Sequence, residues 1–470
     1  MRGLKIYALA AFLTISEGLE LRKSTETPQV VQFPIERKLN VLNPVSRDRL
    51  RRRDVVKGNL DNKDTLYLLD VSLGTPPQNI KLHLDTGSSD LWVNTQKSTL
   101  CSSRSRPCTG AGMYSANAST TYDFLASNFN ISYVDGSGAE GDYVTDVLNL
   151  GGKSIGKFQF GVGYKSSSPQ GILGVGYAIN EVQIGRAGKR PYLNLPLRMV
   201  SDGLIKSSAY SLWLNDLDAS TGNILFGGVD TAQYIGQLQT LPIQRVGGVY
   251  SEFLITMTGL SIGEKVIATN IAQAVLLDSG SSLSYLPDDL TVALYNLMGA
   301  KYDENEGAAY VPCAYAQSSI TVDFSFSGPV IKVDMSELVI PVTKVESEGP
   351  LVFGDGTPAC LFGISPAGSG SCVLGDTFIR SAYIVYDLEN NEISIAQTNF
   401  NATENRIVEI GAGRKAVPDA TPVPNSAPAT SGTELNFSND SSSIRFMSLM
   451  SSKRLFVTLS LFYSIFYVAV

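Results

Sequence analysis

Histidine is almost absent from this chain, whose 470 residues contain only His83. A Ser-His-Asp hydrolytic site needs that imidazole within reach of an activated serine, and the sequence holds no G-x-S-x-G turn to present one. A catalytic zinc site of the usual kind needs several imidazoles. The shortage argues against both kinds of site, and we expect His83 to be a structural, partly buried strand residue.

Charged residues are also scarce, at 17% of the chain, whereas glycine (43 residues), tyrosine (21) and phenylalanine (19) are abundant. This balance is typical of a β-rich extracellular protein rather than of a helical one. The chain is too long for one small core, so we expect two lobes. Short apolar strands separated by Gly, Pro, Asn and Asp clusters run from residue 64 to residue 400, and the best helical candidate is Leu290 to Met298.

The amino end is typical of targeting and processing sequences. Residues 1–18 combine a positive start, an apolar stretch too short to span a bilayer and a small polar exit, which predicts a secretory signal peptide. Residues 19–53 hold nine Lys or Arg against four Asp or Glu and end in an Arg cluster ahead of an acidic body. We expect a propeptide that is cleaved after Arg53 and that neutralises an acidic cleft; the alternative is a solvated linker.

The carboxyl end predicts a second targeting signal. Residues 401–443 are rich in Ser, Thr, Pro and Asn and are expected to form an extended stalk. The tail that follows comprises residues 444–470, and its last sixteen residues are uncharged. As a helix these sixteen residues would be about 24 Å long, which is too short to cross a hydrocarbon core of about 30 Å. We expect a GPI-attachment signal whose tail is removed, with the lipid anchor at Asn439 or Ser441; the alternative is a tail anchor.

Five cysteines in a secreted chain predict disulfides with one thiol left over. Cys101 and Cys108 enclose a short loop and are expected to pair. Cys372 begins an apolar run and is expected to be a buried thiol, which leaves Cys313 with Cys360. Asn-x-Ser/Thr sequons, which are usable only in a secretory compartment, occur at Asn117, Asn130, Asn401, Asn436 and Asn439.

One short pattern occurs twice, 193 residues apart: Asp85-Thr86-Gly87-Ser88-Ser89 and Asp278-Ser279-Gly280-Ser281-Ser282. Each copy ends an apolar strand-like run, and each is followed by an apolar-apolar-Gly step, Gly171-Ile172-Leu173-Gly174 or Cys372-Val373-Leu374-Gly375. The repeat predicts two related lobes, residues 64–240 and 241–400, with a cleft between them.

The repeat places one carboxylate in each lobe, Asp85 and Asp278. Two carboxylates held close together cannot both be charged cheaply, so they share a proton. Such a pair can deprotonate a water molecule and protonate a carbonyl oxygen without a covalent intermediate. Gly87 and Gly280 allow the tight turn that leaves backbone N–H groups free to orient each carboxylate. The neighbouring hydroxyls can lock the geometry.

Together, these and other motifs resemble the pepsin-like family of aspartic proteases. The remaining motifs are Asp90-Leu91-Trp92-Val93, Tyr133-Val134-Asp135-Gly136-Ser137, and Leu374-Gly375-Asp376-Thr377-Phe378-Ile379-Arg380-Ser381-Ala382-Tyr383. The basic propeptide, stalk and apolar tail make the chain most similar to fungal yapsins and GPI-anchored secreted aspartic proteases. The resemblance covers residues 64–400 and implies an all-β, bilobal fold.

The resemblance also implies roles for single residues. Asp85 and Asp278 would form the catalytic dyad, Thr86 and Ser279 would cross-link the two loops beneath it, and Ser88 and Ser281 would hydrogen-bond the outer carboxylate oxygens. Tyr133, on a flap hairpin with Asp135 and Gly136 at its turn, would reach toward Trp92 over an extended peptide. On sequence alone, Tyr133 is equally compatible with an ordinary strand aromatic.

Yapsins prefer Lys or Arg beside the cut, and many carry acidic residues in the loop after the first Asp. Here residues 95–121 contain no acid, so Asp135 is the best candidate to bind a basic P1 side chain, ahead of Glu140 and Asp142. We expect a monomeric zymogen that is matured by a Kex2-like processing protease and acts on polypeptide substrates at the plasma membrane or cell wall. No metal, organic cofactor or nucleic acid is implied. The alternative is an inactive pepsin-like wall glycoprotein that serves binding or adhesion.

Overall fold

The computed structural model describes residues 28–38, 66–133, 137–219, 221–342 and 351–433. Within these residues strands greatly outnumber helices, and they build two β lobes joined by a shared sheet. The all-β, bilobal class expected from the sequence is confirmed.

The strands of the amino-terminal half are β1 Val31–Lys38, β2 Leu66–Leu73, β3 Gln78–Asp85, β4 Leu91–Asn94, β5 Asp123–Ser132, β6 Gly138–Leu150, β7 Lys153–Ser166, β8 Gly171–Gly174, β9 Ala209–Trp213, β10 Thr221–Phe226, β11 Gly228–Asp230 and β12 Tyr234–Pro242. The strands that follow are β13 Leu254–Ile262, β14 Lys265–Leu277, β15 Ser284–Leu286, β16 Lys301–Asp303, β17 Ala308–Pro312, β18 Thr321–Ser325, β19 Val330–Asp334, β20 Val339–Ile340, β21 Ala359–Phe362, β22 Ile364–Pro366, β23 Val373–Leu374, β24 Ala382–Asp387, β25 Glu392–Thr398, β26 Ile407–Glu409 and β27 Thr421–Pro422.

The helices are short. The α-helices are α1 Val182–Ala187, α2 Leu195–Ser201, α3 Asp288–Met298, α4 Met335–Leu338 and α5 Asp376–Ile379. Four 3₁₀ turns are Pro107–Gly110, Ala116–Ala118, Ala178–Asn180 and Cys313–Gln317. Helix α3 contains the helical stretch that the sequence predicted, and it begins with two acidic residues, which favour the positive end of the helix dipole.

One large sheet joins the two halves of the chain. Its fourteen strands run in the order β27-β12-β25-β24-β9-β10-β1-β2-β3-β8-β4-β7-β6-β5, so strands from the carboxyl half lie beside strands from the amino half. A seven-stranded sheet, β19-β18-β13-β14-β23-β15-β22, forms most of the second lobe. Strand β12 spans the expected boundary near residue 240 and pairs antiparallel with β25.

The internal repeat corresponds to a repeated strand crossing. In the first lobe β3 pairs parallel with β8, which sets Asp85 opposite Gly174. In the second lobe β14 pairs parallel with β23, which sets Leu277 opposite Leu374. Each apolar-apolar-Gly step therefore lies beside the strand that ends in an Asp motif.

Aromatic side chains pack beneath the junction of the two lobes. Tyr210 stacks on Tyr386 with ring centroids 4.9 Å apart, and Phe253 meets Tyr386 edge to face at 4.7 Å. Tyr210 and Tyr386 come from neighbouring strands of the large sheet, β9 and β24, and all three rings are fully buried. The three rings therefore form one packed aromatic cluster in the core.

Part of the expected propeptide belongs to the large sheet. Strand β1 lies between β10 and β2 and pairs antiparallel with both. Phe33 and Ile35 are fully buried, and Phe33 packs edge to face on Phe226 at 5.8 Å. The alternation of buried and exposed residues along β1 explains why a basic segment can still insert a strand.

Residues 401–433 differ from the extended stalk expected over 401–443. Strand β26 pairs with β11, β27 pairs with β12, and Ser431 bridges to Gln273. Ile410 is fully buried among the side chains of the body. A few apolar residues, together with pairing to the short strand β11 and to the free edge of β12, were enough to attach this segment, despite its polar composition.

Two disulfides are present, Cys101–Cys108 and Cys313–Cys360, and Cys372 is a buried cysteine that belongs to neither. His83 is fully buried within β3, rather than partly buried as expected.

No helix among the described residues is long and apolar enough to cross a membrane. The signal peptide (1–18), the cleavage point after Arg53, the GPI candidates Asn439 and Ser441, and the tail (444–470) lie outside the described residues.

Candidate active site

Each Asp motif begins where a buried strand ends. Asp85 is the last residue of β3, and its carbonyl accepts a hydrogen bond from the N–H of Val175 at 3.0 Å. Asp278 follows β14, and its N–H donates to the carbonyl of Leu374 at 3.1 Å. The neighbouring apolar-apolar-Gly strands therefore fix the backbone of both acids.

The two glycines allow the carboxyl groups to approach each other. A Cβ atom built on Gly87 would lie 2.6 Å from Oδ1 of Asp278. One built on Gly280 would lie 2.9 Å from both Cγ of Asp85 and Oδ1 of Asp278. Since any side chain at these positions would occupy the space of a carboxyl group, glycine is required by the approach of the two acids.

The hydrogen bonds around the two carboxyl groups mirror each other. Oδ1 of Asp85 accepts the N–H of Gly87 at 2.8 Å, and Oδ1 of Asp278 accepts the N–H of Gly280 at 2.8 Å. Oδ2 of Asp85 accepts the hydroxyl of Ser88 at 2.5 Å, and Oδ2 of Asp278 accepts that of Ser281 at 2.7 Å. Asp85 is 3% exposed and Asp278 7% exposed, so these partners orient two largely buried carboxyl groups.

Beneath the carboxyl groups, Thr86 and Ser279 tie the two loops together. The Thr86 hydroxyl donates to the carbonyl of Leu277 at 2.9 Å and accepts the N–H of Ser279 at 2.9 Å. The Ser279 hydroxyl donates to the carbonyl of Leu84 at 3.0 Å and accepts the N–H of Thr86 at 3.2 Å. Each lobe thus holds the other lobe's loop through buried hydrogen bonds.

A hairpin of β5 and β6 carries Tyr133 at its turn. The N–H of Tyr133 donates to the carbonyl of Ser137 at 2.8 Å. The indole N–H of Trp92, which is fully buried, donates to the Tyr133 hydroxyl at 2.8 Å. Asp135 and Gly136 lie outside the described residues, so the candidate for a basic side chain at this turn stays a prediction.

The other two flap acids are engaged with neighbours. Glu140 forms a salt bridge with Lys165 at 3.1 Å, and Asp142 accepts the hydroxyl of Tyr164 at 2.9 Å. The sequons at Asn117 and Asn401 are exposed, and Asn130 is half-buried on β5. The sequons at Asn436 and Asn439 lie outside the described residues.

Sequence reasoning missed a buried acid beside Trp92. Asp90 accepts hydrogen bonds from the hydroxyls of Tyr143 and Tyr192 at 3.0 Å each and from the N–H of Val182 at 2.9 Å. Burial raises the pKa of Asp90, and these donors oppose the rise. Asp90 therefore anchors the flap strand β6 and helix α1 to the start of β4. An acid within the apolar run after Ser89 was the signal for such a role.

Glu181 forms a second buried acid in the same region and was also missed. Burial raises the pKa of Glu181 to about 9, and the nearby charge of Asp90 adds to the rise. Its Oε2 accepts the N–H of Tyr192 at 2.8 Å. At neutral pH this carboxyl is therefore protonated.

The sequence profile described as eukaryotic aspartyl protease matches residues 66–398, which include both Asp motifs and the flap. The chain belongs to this family. It is 54% identical over 414 residues to "Probable aspartic-type endopeptidase opsB" of Aspergillus oryzae, covering 86% of this chain and 83% of that protein. It is 35% identical over 402 residues to "Secreted aspartic protease 1" of Candida albicans, covering 84% and 96%.

The fold of the protease is also similar to a solved structure. The crystal structure of the aspartic proteinase from Irpex lacteus matches with a TM-score of 0.60 at 21% identity, covering 80% of this chain and all of that one. With relatives named endopeptidases at about half identity over most of the chain, the protease is an aspartic-type endopeptidase.

Proposed function

We propose that Asp85 and Asp278 are the catalytic dyad of this endopeptidase. The observation that carries the proposal is the mirrored set of hydrogen bonds to the two carboxyl groups. These bonds orient both groups in the same way, so that one can act as the acid and the other as the base. The ionised carboxyl takes a proton from a bound water, whose oxygen attacks the peptide carbonyl. The other carboxyl protonates the carbonyl oxygen, and a proton passes to the leaving amine as the C–N bond breaks.

The cross-link between Thr86 and Ser279 supports this chemistry by preorganisation. A change of about 1 Å in the separation of the two carboxyl groups would prevent both from contacting one water, and four buried hydrogen bonds oppose such a change. Tyr133 and the flap exclude bulk water from the bound peptide, which strengthens the electrostatic interactions at the dyad. Trp92 holds Tyr133 in place for that role.

Secretion and surface attachment are part of the proposal. The signal-like residues 1–18, the basic segment that ends at Arg53 and the apolar tail of residues 444–470 support a secreted zymogen that is matured by proteolysis and attached through a GPI anchor. The disulfides and the exposed sequons Asn117 and Asn401 fit an oxidising, glycosylating compartment. The substrates are then surface or secreted proteins, with cleavage beside Lys or Arg.

The test is Asp278→Asn in the purified, matured protease, assayed on a peptide library between pH 3 and 6. The asparagine keeps the shape and accepts the same N–H, but it cannot exchange a proton, so we expect cleavage to fall at least about a thousandfold. Asp218→Asn, an exposed residue remote from the motifs, is the matched control and should cleave as the wild type does. Equal cleavage by Asp278→Asn would refute the dyad.

A further inference from the structure

A third acid lies beside the proposed dyad, although no motif marks it. Strands β13 and β14 pair antiparallel with Leu254 opposite Leu276. Just beyond these strands, the N–H of Leu277 donates to the carbonyl of Phe253 at 3.1 Å, so the pairing continues. Continued one step further, the same register would bring Glu252 opposite Asp278, and the charge of Asp278 does act on Glu252. Residues directly opposite in an antiparallel pair have side chains on the same face, with Cβ atoms about 5 Å apart.

The carboxyl group of Glu252 is available to a ligand. The residue is half-buried, whereas Phe253 beside it is fully buried. Within the part of the chain that the structure describes, no hydrogen bond or salt bridge joins the Glu252 carboxyl to another residue. The cation nearest in sequence, Arg245, instead lies over the ring of Tyr250 at 4.6 Å from its centroid.

The charged and titratable groups around Glu252 favour its neutral form in the free enzyme. Burial raises its pKa, and the negative charge of Asp278 raises it further. The phenols of Tyr177, Tyr210 and Tyr386, which pack on the neighbouring Phe253, stay neutral because burial raises their pKa values, so they add no charge beside Glu252. A substrate cation beside the carboxyl would favour its ionised form and so oppose the effects of burial and of Asp278.

We propose that Glu252 binds the cationic side chain of a Lys or Arg that adjoins the scissile bond, and that this selection strengthens as the pH rises. The proposal rests on Asp85 and Asp278 being the dyad, because that places the scissile bond beside Glu252. Of the other described acids considered for this role, Asp142 accepts the hydroxyl of Tyr164 and Glu140 forms an exposed salt bridge with Lys165.

The pH dependence follows from the two ionisation states. Well below its pKa, Glu252 is neutral and gives a cationic side chain little more than a hydrogen bond. As the pH rises through that pKa, the carboxylate forms a charge-assisted pair with the substrate cation in a cleft shielded from water. The pH dependence of total activity is set by the dyad. The pH dependence of the cleavage ratio between a cationic and a neutral substrate is set by the ionisation of Glu252. Selectivity for Lys or Arg therefore increases toward the upper end of the active pH range.

The experiment uses peptide pairs that differ only in Lys against norleucine, placed in turn at the two positions on each side of the scissile bond. We measure kcat/KM for each pair at pH 3.5 and pH 6 with the wild type, Glu252→Gln and Glu252→Asp. At one of these positions the wild-type Lys-to-norleucine ratio should rise about tenfold between the two pH values, which corresponds to about 1.4 kcal/mol. Glu252→Gln should hold the ratio constant, and Glu252→Asp should restore part of the rise.

Glu264→Gln is the matched control, since Glu264 is an exposed acid in the turn between β13 and β14, at the far end of the same pair of strands. It should keep the wild-type ratios. Cleavage of the norleucine peptides at pH 3.5 shows that each variant is folded. The inference is overturned if the wild-type Lys-to-norleucine ratio does not change with pH at any of the positions. It is also overturned if Glu252→Gln shows the same rise of this ratio with pH as the wild type. Failure of the wild type to cleave any peptide would instead overturn the proposed function.

Discussion

The buried acid Glu181 gives a prediction about how the stability of the protease depends on pH. Its pKa is raised to about 9 from a usual value of 4.5, first by burial and then by the charge of Asp90. Because the folded pKa lies above the unfolded one, the stabilising effect of the protonated form is fully present below about pH 4.5. It is lost progressively as the pH rises toward 9.

The size of the effect follows from the shift. One pKa unit is worth about 1.4 kcal/mol, so the shift of Glu181 corresponds to about 6 kcal/mol between pH 4.5 and pH 9. That is comparable with the whole free energy of unfolding of many proteins, about 5 to 15 kcal/mol. Glu181→Gln keeps an oxygen to accept the N–H of Tyr192 and removes the titration. We therefore expect the variant to be equal to the parent at pH 4 and to gain about 1.4 kcal/mol per pH unit above pH 5.

The measurement is urea unfolding, followed by the fluorescence of Trp92 and Trp213, at pH 4, 6 and 7.5. Both proteins carry Asp278→Asn, so that self-cleavage does not distort the unfolding curves. Glu264 is an exposed acid, so the difference in free energy of unfolding between Glu264→Gln and the parent should not grow with pH. If the parent and Glu181→Gln lose stability in parallel as the pH rises, the buried carboxyl is not the titrating group and the reasoning is wrong.

Two further predictions concern the flap and the carboxyl-terminal segment. Tyr133→Phe leaves the buried N–H of Trp92 without its acceptor, so kcat/KM for peptide cleavage should fall about tenfold. Adding Trp92→Phe should lower kcat/KM by less than a further tenfold, because both changes remove the same hydrogen bond. Additive losses in kcat/KM would contradict this coupling. Truncation after residue 400 removes Ile410 from the core and should lower the free energy of unfolding by several kcal/mol, whereas truncation after residue 433 should leave it unchanged, as measured by urea unfolding. Equal stability of the two truncated proteins would show that residues 401–433 are not part of the fold.

The sequence predicted those features of the site that a local pattern encodes. Asp85, Asp278 and their glycines were found because close approach of two carboxyl groups permits little variation at those positions. Glu252 could not be found in this way, because its place beside Asp278 depends on the register of β13 against β14 and not on a motif. Glu181 is inconspicuous for a similar reason, since its raised pKa comes from tertiary burial.

The carboxyl-terminal segment shows the limit of composition as a guide to structure. Residues 401–433 have the polar, proline-containing character of a stalk, and yet they pair with the short strand β11 and with β12 at the edge of the large sheet. Their attachment depends on isolated apolar residues such as Ile410, whose burial is decided by the surface they meet. The large sheet, by contrast, follows from strand patterns that extend over many residues.

The central place of β1 has a consequence for activation. The strand is held by six residue pairs to β10 and three to β2, with Phe33 and Ile35 inside the core. A cut after Arg53 severs the chain but breaks none of these pairings. The immediate product of such a cut is a nicked, two-chain complex, and departure of the strand is a separate event with its own rate. For the proposed zymogen, the half-time of activation would therefore depend on the release of this strand as well as on proteolysis.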